Sequence, residues 1–175
     1  MMIAALAGLV AAQGTIDAAS PGRATASFYR IYLQVRPSGV PDASARARLE
    51  PVLTARLSTL LERAARAEAV YAEKTKGDSP PLVEGDVFTS LFEGAGRFRV
   101  LGCRTGPVRA VCRTDLTYAS PGSKPARWRD TMVLIHTAAG WRVDDVVYGG
   151  RWAFGPKGSL SQALKGAIAE AAAEG

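Results

Sequence analysis

The pair Pro80-Pro81, closing the run Gly77-Asp78-Ser79-Pro80-Pro81, divides this chain into two kinds of pattern. Proline lacks a backbone N–H and pushes the residue before it out of the helical region, so no helix runs through the pair. Ahead of it, apolar residues recur at helical spacing. Phe28, Ile31, Tyr32 and Val35 fall at i, i+3, i+4 and i+7, and Pro37, Ser38, Gly39 and Pro41 end that helix. Asp42 caps a short following turn. Pro51 is tolerated in a first helical turn, which places a longer helix over about 51–75 with Leu53, Leu57, Leu60, Leu61 and Ala64 inward. Its other side, with Arg56, Glu62, Arg63, Arg66, Glu68, Glu73 and Lys74, reads as a solvated face.

Beyond the prolines the pattern becomes strand-like. Segments 97–104, 110–118, 126–137 and 141–148 are rich in β-favouring residues and are separated by Thr105-Gly106-Pro107, Ser120-Pro121-Gly122 and Ala138-Ala139-Gly140. Links this short join antiparallel neighbours, whereas a parallel crossover needs about a dozen residues. A last helix opens at Ser159 and places Leu160, Ala163, Leu164 and Ile168 on one side. The expected fold is therefore α+β: N-terminal helices on a four-stranded antiparallel meander, with a C-terminal helix. With 175 residues, 47% hydrophobic and 22% charged, the chain suits one domain, expected over residues 24–175 after a flexible linker at 13–23.

Residues 1–12 are apolar, too short for a bilayer span of about 20 residues, and sized for the hydrophobic part of an export signal. Val10-Ala11-Ala12 supplies the small residues a signal peptidase reads, so cleavage before Gln13 and a periplasmic or secreted location are expected. That segment has no Lys or Arg; either the signal starts upstream or it is weak, and the alternative is an apolar terminus packed on the domain.

The net charge of +6 would suit an anionic partner, but Arg23, Arg46, Arg56, Arg66, Arg99, Arg113, Arg129 and Arg151 are dispersed. No dense basic run or aromatic-rich recognition motif accompanies them, so nucleic acid is not the expected partner. One histidine and no clustered carboxylates give no zinc or calcium motif. Gly94-Ala95-Gly96 lacks the rest of a phosphate loop, and there is no serine-hydrolase elbow. No metal or cofactor is expected. Cys103 and Cys112 flank the turn at Gly106-Pro107; they bridge if their strands pair so that the two oppose, and a one-residue shift separates them.

Thr137 to Trp141 reads as a three-residue hairpin loop with Gly140 left-handed, so Thr137 opposes Trp141, Ile135 opposes Val143, Val133 opposes Asp145 and Thr131 opposes Val147. The face with Val133, Ile135, Trp141, Val143 and Val147 is the more apolar and is expected beneath the helices, with Asp145 in its middle. Met132, Leu134 and Tyr148 fall on the other face, where a homodimer contact is expected. Adjacent Asp144 and Asp145 point opposite ways and form no carboxylate pair. A carboxylate on an apolar face must be hydrogen-bonded or have its pKa raised. Asp145 is either an anchor, bonded to a helix terminus, to Tyr29 or Tyr32 or to an Arg, or a catalytic base.

The segments 140–148, Trp128-Arg129-Asp130 and Gly85-Asp86-Val87-Phe88-Thr89-Ser90-Leu91-Phe92-Glu93-Gly94 resemble an exported bacterial family catalogued as domain-of-unknown-function family 3828. The likeness covers about Thr25 to Leu164. It implies a cystatin-like cone fold related to nuclear transport factor two and ketosteroid isomerase, and carries no transferable catalytic residues. In such a cone, Tyr29, Tyr32, Val133, Ile135, Trp141, Val143 and Asp145 are the candidate ligand-binding set. Phe88, Leu91 and Phe92 form either a lid over its mouth or a connector that plugs the core. The leading expectation is a non-enzymatic domain binding a small apolar ligand or a partner protein. The alternatives are an isomerase or dehydratase using Asp145 as general base, and an immunity or inhibitor protein.

Overall fold

The computed structural model describes residues 18–173. Helices α1 (Pro21–Val35), α2 (Ala43–Leu49) and α3 (Ala55–Lys74) precede strands β1 (Arg97–Thr105), β2 (Arg109–Tyr118), β3 (Ala126–Thr137) and β4 (Gly140–Val147), and α4 (Leu160–Ala173) ends the described chain. The sheet is one antiparallel meander in the order β1-β2-β3-β4. The α+β architecture expected from the change of pattern is present. Segment 1–12, expected to be an export signal, lies outside the described residues.

Local chemistry sets the helix starts. Ser20 caps α1, its hydroxyl accepting from the Arg23 N–H, and Pro21 occupies the first turn. The helix thus begins inside the stretch expected to be linker, because cap and proline together define a start that apolar spacing alone places later. Asp42 caps α2 at 2.7 Å from the Ala45 N–H. Pro51 enters a 3-10 turn, Glu50–Val52, and Thr54 caps α3, so the long helix starts later than the proline suggested.

Helix α1 packs across β1, β2 and β4, while α3 and α4 pair with each other beside β4. The core between helices and sheet is solid. Phe28, Tyr29, Tyr32 and Phe88 are buried together, with ring centroids 5.2–6.3 Å apart, and Met132, Leu134 and Leu116 close the sheet side. Of the two readings of segment 85–94, the plug holds for Phe88 and Leu91, which are buried with Val87, but not for Phe92, which is 60% exposed; the segment carries no helix.

The register of the last hairpin corrects the expected assignment of faces. Gly140 has φ 90°, but it pairs with Thr137, leaving Ala138 and Ala139 as the loop and setting His136 opposite Trp141. A bulge at Asp144 then restores Val133 opposite Asp145 and Thr131 opposite Val147. On β3 the even-numbered residues Trp128, Asp130, Met132 and Leu134 face the helices. On β4 the inward set is Trp141, Val143 and Val146, with Tyr148 just beyond the strand packed against the same core. Met132, Leu134 and Tyr148 are therefore core residues, not a dimer surface. The expectation failed because a charged residue, Asp130, lies on the buried side, and because the bulge breaks the alternation that period-two counting assumes.

Cys103 lies opposite Cys112 across β1 and β2, and the two form a disulfide. Their separation of 9 residues makes a short loop, for which the chain-entropy argument gives about 2–3 kcal/mol. Urea denaturation of Cys103→Ala/Cys112→Ala should give a stability lower by about 2 kcal/mol than the oxidised wild type; equal midpoints would show that the sheet alone fixes the hairpin.

Candidate functional site

The proposed ligand-binding set does not form one lining. Tyr29, Tyr32, Trp141 and Val143 belong to the buried core, whereas Val133, Ile135 and Asp145 lie on the outward rows of the sheet. Between helices and sheet, the cone interior expected to hold a ligand is occupied by aromatic side chains.

Asp145 is an anchor. Its Oδ1 accepts from the backbone N–H groups of Ser161 and Val146, each at 2.9 Å, and its Oδ2 accepts from the Ser159 hydroxyl at 2.9 Å. The carboxylate thereby satisfies donors at the start of α4, where negative charge is favoured. Asp144, displaced by the bulge, serves α3. It accepts from Thr54 Oγ1 at 2.6 Å and from Arg56 Nε and Nη2, both at 2.9 Å. Two adjacent carboxylates therefore hold the starts of two different helices.

The more deeply buried acids are Asp130 and Asp86. Asp130 is 0% exposed and accepts hydrogen bonds from the Ser90 N–H, the Trp128 indole and the Gly149 N–H, each at 2.9 Å, and from the Ser90 hydroxyl. The Ser90 hydroxyl oxygen in turn accepts from the N–H groups of Gly149 and Gly150 at 3.0 Å. This knot ties the connector 85–94 and the chain leaving β4 to the middle of β3. A Cβ at Gly149 would lie 2.1 Å from the Arg129 carbonyl oxygen, so only glycine fits there.

Asp86 fixes the other end of the connector. It accepts from the Tyr32 hydroxyl at 2.5 Å and from the Phe88 N–H at 2.7 Å. Burial pushes its carboxyl up to about 7, against the opposing pull of the Tyr32 and Phe88 hydrogen bonds. Tyr32 also accepts from the Ala95 N–H at 2.8 Å, and burial followed by the Asp86 charge raises its hydroxyl far above the usual range. Tyr29 is raised chiefly by burial and next by Asp130, and it donates to the Met132 sulfur at 3.3 Å. These groups are enclosed by core side chains.

Concavity and charge lie instead on the outward face of the sheet. Its rows carry Arg97, Arg99 and Arg104 on β1, Arg109 and Arg113 on β2, Arg127 and Arg129 on β3, and Arg142 on β4. Val111, Val133 and Ile135 lie among them, and Asp115 sits between Arg99 and Arg129. A concavity of about 620 Å³ at one end is lined by Arg97, Arg99, Asp115, Thr117, Arg127 and Arg129, with Trp128 at its edge. Asp115 is 2.9 Å from Arg99 Nη2 and 2.8 Å from Arg129 Nη2. Desolvation there acts upward but is outweighed by the Arg129 and Arg99 guanidiniums, which hold the carboxyl below its usual range. Read along the chain these arginines look dispersed. Their signal is the i, i+2 spacing of Arg97 with Arg99 and of Arg127 with Arg129, which in strands puts each pair on one face.

Among the described residues no group of His, Cys, Asp and Glu is placed to hold a metal ion, and no helix is long and apolar enough to cross a membrane.

Asp130→Asn turns an amide donor toward donors already facing the site and should cost about 3 kcal/mol. Asp145→Asn, which weakens a cap, should cost about 1 kcal/mol. Denaturant titration checks the order, and a larger loss for Asp145→Asn would reassign the anchor. Asp86 adds a pH dependence. Its folded value of about 7 exceeds the ordinary 3.8, so the folded state holds the proton more tightly. The resulting stabilisation is complete below about pH 4 and is lost as pH rises toward 7. The stability of wild type minus that of Asp86→Asn should fall across this interval, and a flat difference would contradict the assignment.

No family model, curated protein or solved structure matches this chain, so its function must be argued from its own geometry.

Proposed function

We propose that this chain is an exported, non-catalytic binding domain that docks a partner protein through the arginine-rich outward face of its sheet. The observation that carries this reading is the concentration of arginines on the outward sheet face, which has few acids to neutralise them. Arginine suits such a face because its planar guanidinium remains charged and pairs with carboxylates through two parallel hydrogen bonds.

Two features weigh against the other expectations. A small apolar ligand inside the domain would have to displace Phe28, Tyr29, Tyr32 or Phe88, each at most 2% exposed. Asp145 as a general base would have to release a helix start that two hydrogen bonds, from the Ser159 hydroxyl and the Ser161 N–H, hold. The resemblance to an exported cone-fold family agrees with a binding role, since relatives of that fold include docking proteins. An immunity or inhibitor protein is one case of the same reading, with the partner a toxin or hydrolase.

A photo-crosslinking residue at Val111, among the outward arginines, should capture one discrete partner in the native host. The same residue at Glu62, on the exposed side of α3, should not. Charge reversal at Arg113 should abolish the Val111 adduct. Equal capture from both positions, or capture insensitive to charge reversal, would overturn the docking face.

A further inference from the structure

We infer that Arg97, Thr117 and Arg127 form a carboxylate-binding row, filled by an acidic side chain from a Glu- or Asp-rich segment of the partner. The inference rests on the docking reading above and names the chemistry of its contact.

Two neighbouring rows of the sheet carry the argument. In one, Asp115 on β2 sits between Arg99 on β1 and Arg129 on β3, and its two oxygens reach the two guanidiniums. In the next row along the same strands, Arg97 and Arg127 occupy the matching positions, but Thr117 stands between them. The first row shows that this spacing across three strands accepts one carboxylate shared by two guanidiniums. The second has the same pair of cations and a neutral side chain too short to join them. Both arginines are exposed, and among the described residues neither has a carboxylate partner.

The surroundings favour a polypeptide. Both rows line the 620 Å³ concavity. Arg127 and Trp128 are shared with a second concavity of about 390 Å³, where Trp152 and Arg151 lie. Trp152 is held edge-on against Trp128 at 5.3 Å. An acidic segment seated between Arg97 and Arg127 thus continues onto an aromatic and cationic surface. Nucleic acid fits less well, because within the two rows the arginines are interleaved with Thr117 and Asp115 rather than with aromatic rings on which successive bases could stack. A doubly charged phosphate would also meet more repulsion than a carboxylate from Asp115, about 7 Å away along the strand.

The test is fluorescence anisotropy with a labelled poly-glutamate peptide at low salt. Thr117→Asp supplies the row with a carboxylate of its own, and should weaken binding about tenfold while leaving the melting curve unchanged. Arg97→Gln/Arg127→Gln should weaken it at least as much. Arg109→Gln/Arg142→Gln removes two charges from the opposite end of the same face, and should stay within about threefold of wild type. If the variants at the two ends lose binding equally and Thr117→Asp loses none, the row is overturned while the docking face stands as a diffuse cationic surface. If wild type binds no peptide, the acidic-partner reading falls as well. Competition by inorganic phosphate or a single-stranded oligonucleotide that is stronger than competition by unlabelled peptide would also overturn the row as a carboxylate site.

Discussion

The bulge at Asp144 decides how this domain is assembled. Without the extra residue, β4 would keep strict alternation and could not bury both Val143 and Val146. With it, both enter the core, and Asp144 and Asp145, expected to point opposite ways, instead line one concavity between the starts of α3 and α4, where Arg56 Nη2 donates to both Asp144 and the Ser161 hydroxyl. A backbone irregularity in one strand thus supplies the electrostatic attachment of two helices. It also aligns the Thr54 N–H with the Val143 carbonyl at 2.9 Å, joining the start of α3 directly to the strand.

The connector between helices and sheet is fixed by a different principle. It has no regular structure of its own, so its backbone groups need partners from elsewhere. Two buried carboxylates meet part of that need: Asp86 accepts from within the connector and from α1, and Asp130 accepts from Ser90 across from β3. Tyr148 adds a third tie, donating to the Val87 carbonyl at 2.6 Å. The aromatic core and the acids depend on one another. Phe88 is buried because its flanks are tied down, and Asp86 is enclosed because Tyr32 and Phe88 lie against it.

Element type and order were legible because they follow from periodicity and turn chemistry, which act locally. Pro80-Pro81 divides the two halves, Asp42 caps its helix, and the strand limits fall within about two residues of those read from composition. The faces of the sheet were not legible. Val133 and Ile135 lie on the outward rows although Val133 is buried there, whereas Asp130 looks like surface and is enclosed on the helix side. Asp130 is decided by a partner distant in sequence, Ser90, whereas Val133 and Ile135 are turned outward by the alternation that puts the adjacent Met132 and Leu134 into the core. The outward arginines escaped notice for a related reason. Spread over four strands, they become neighbours only when the register is known, and the seven-residue candidate set named none of them.

That face also bears on how the protein meets its own kind. Two copies approaching sheet to sheet would set one arginine-rich surface against another, because a two-fold contact uses the same patch of both copies. At physiological ionic strength such repulsion is felt over roughly 8 Å, enough to oppose the approach before the valines between the arginines touch. An open sheet with a partly apolar centre would ordinarily invite stacking. Here the arginines that would suit the face to an acidic partner also oppose its pairing with a second copy.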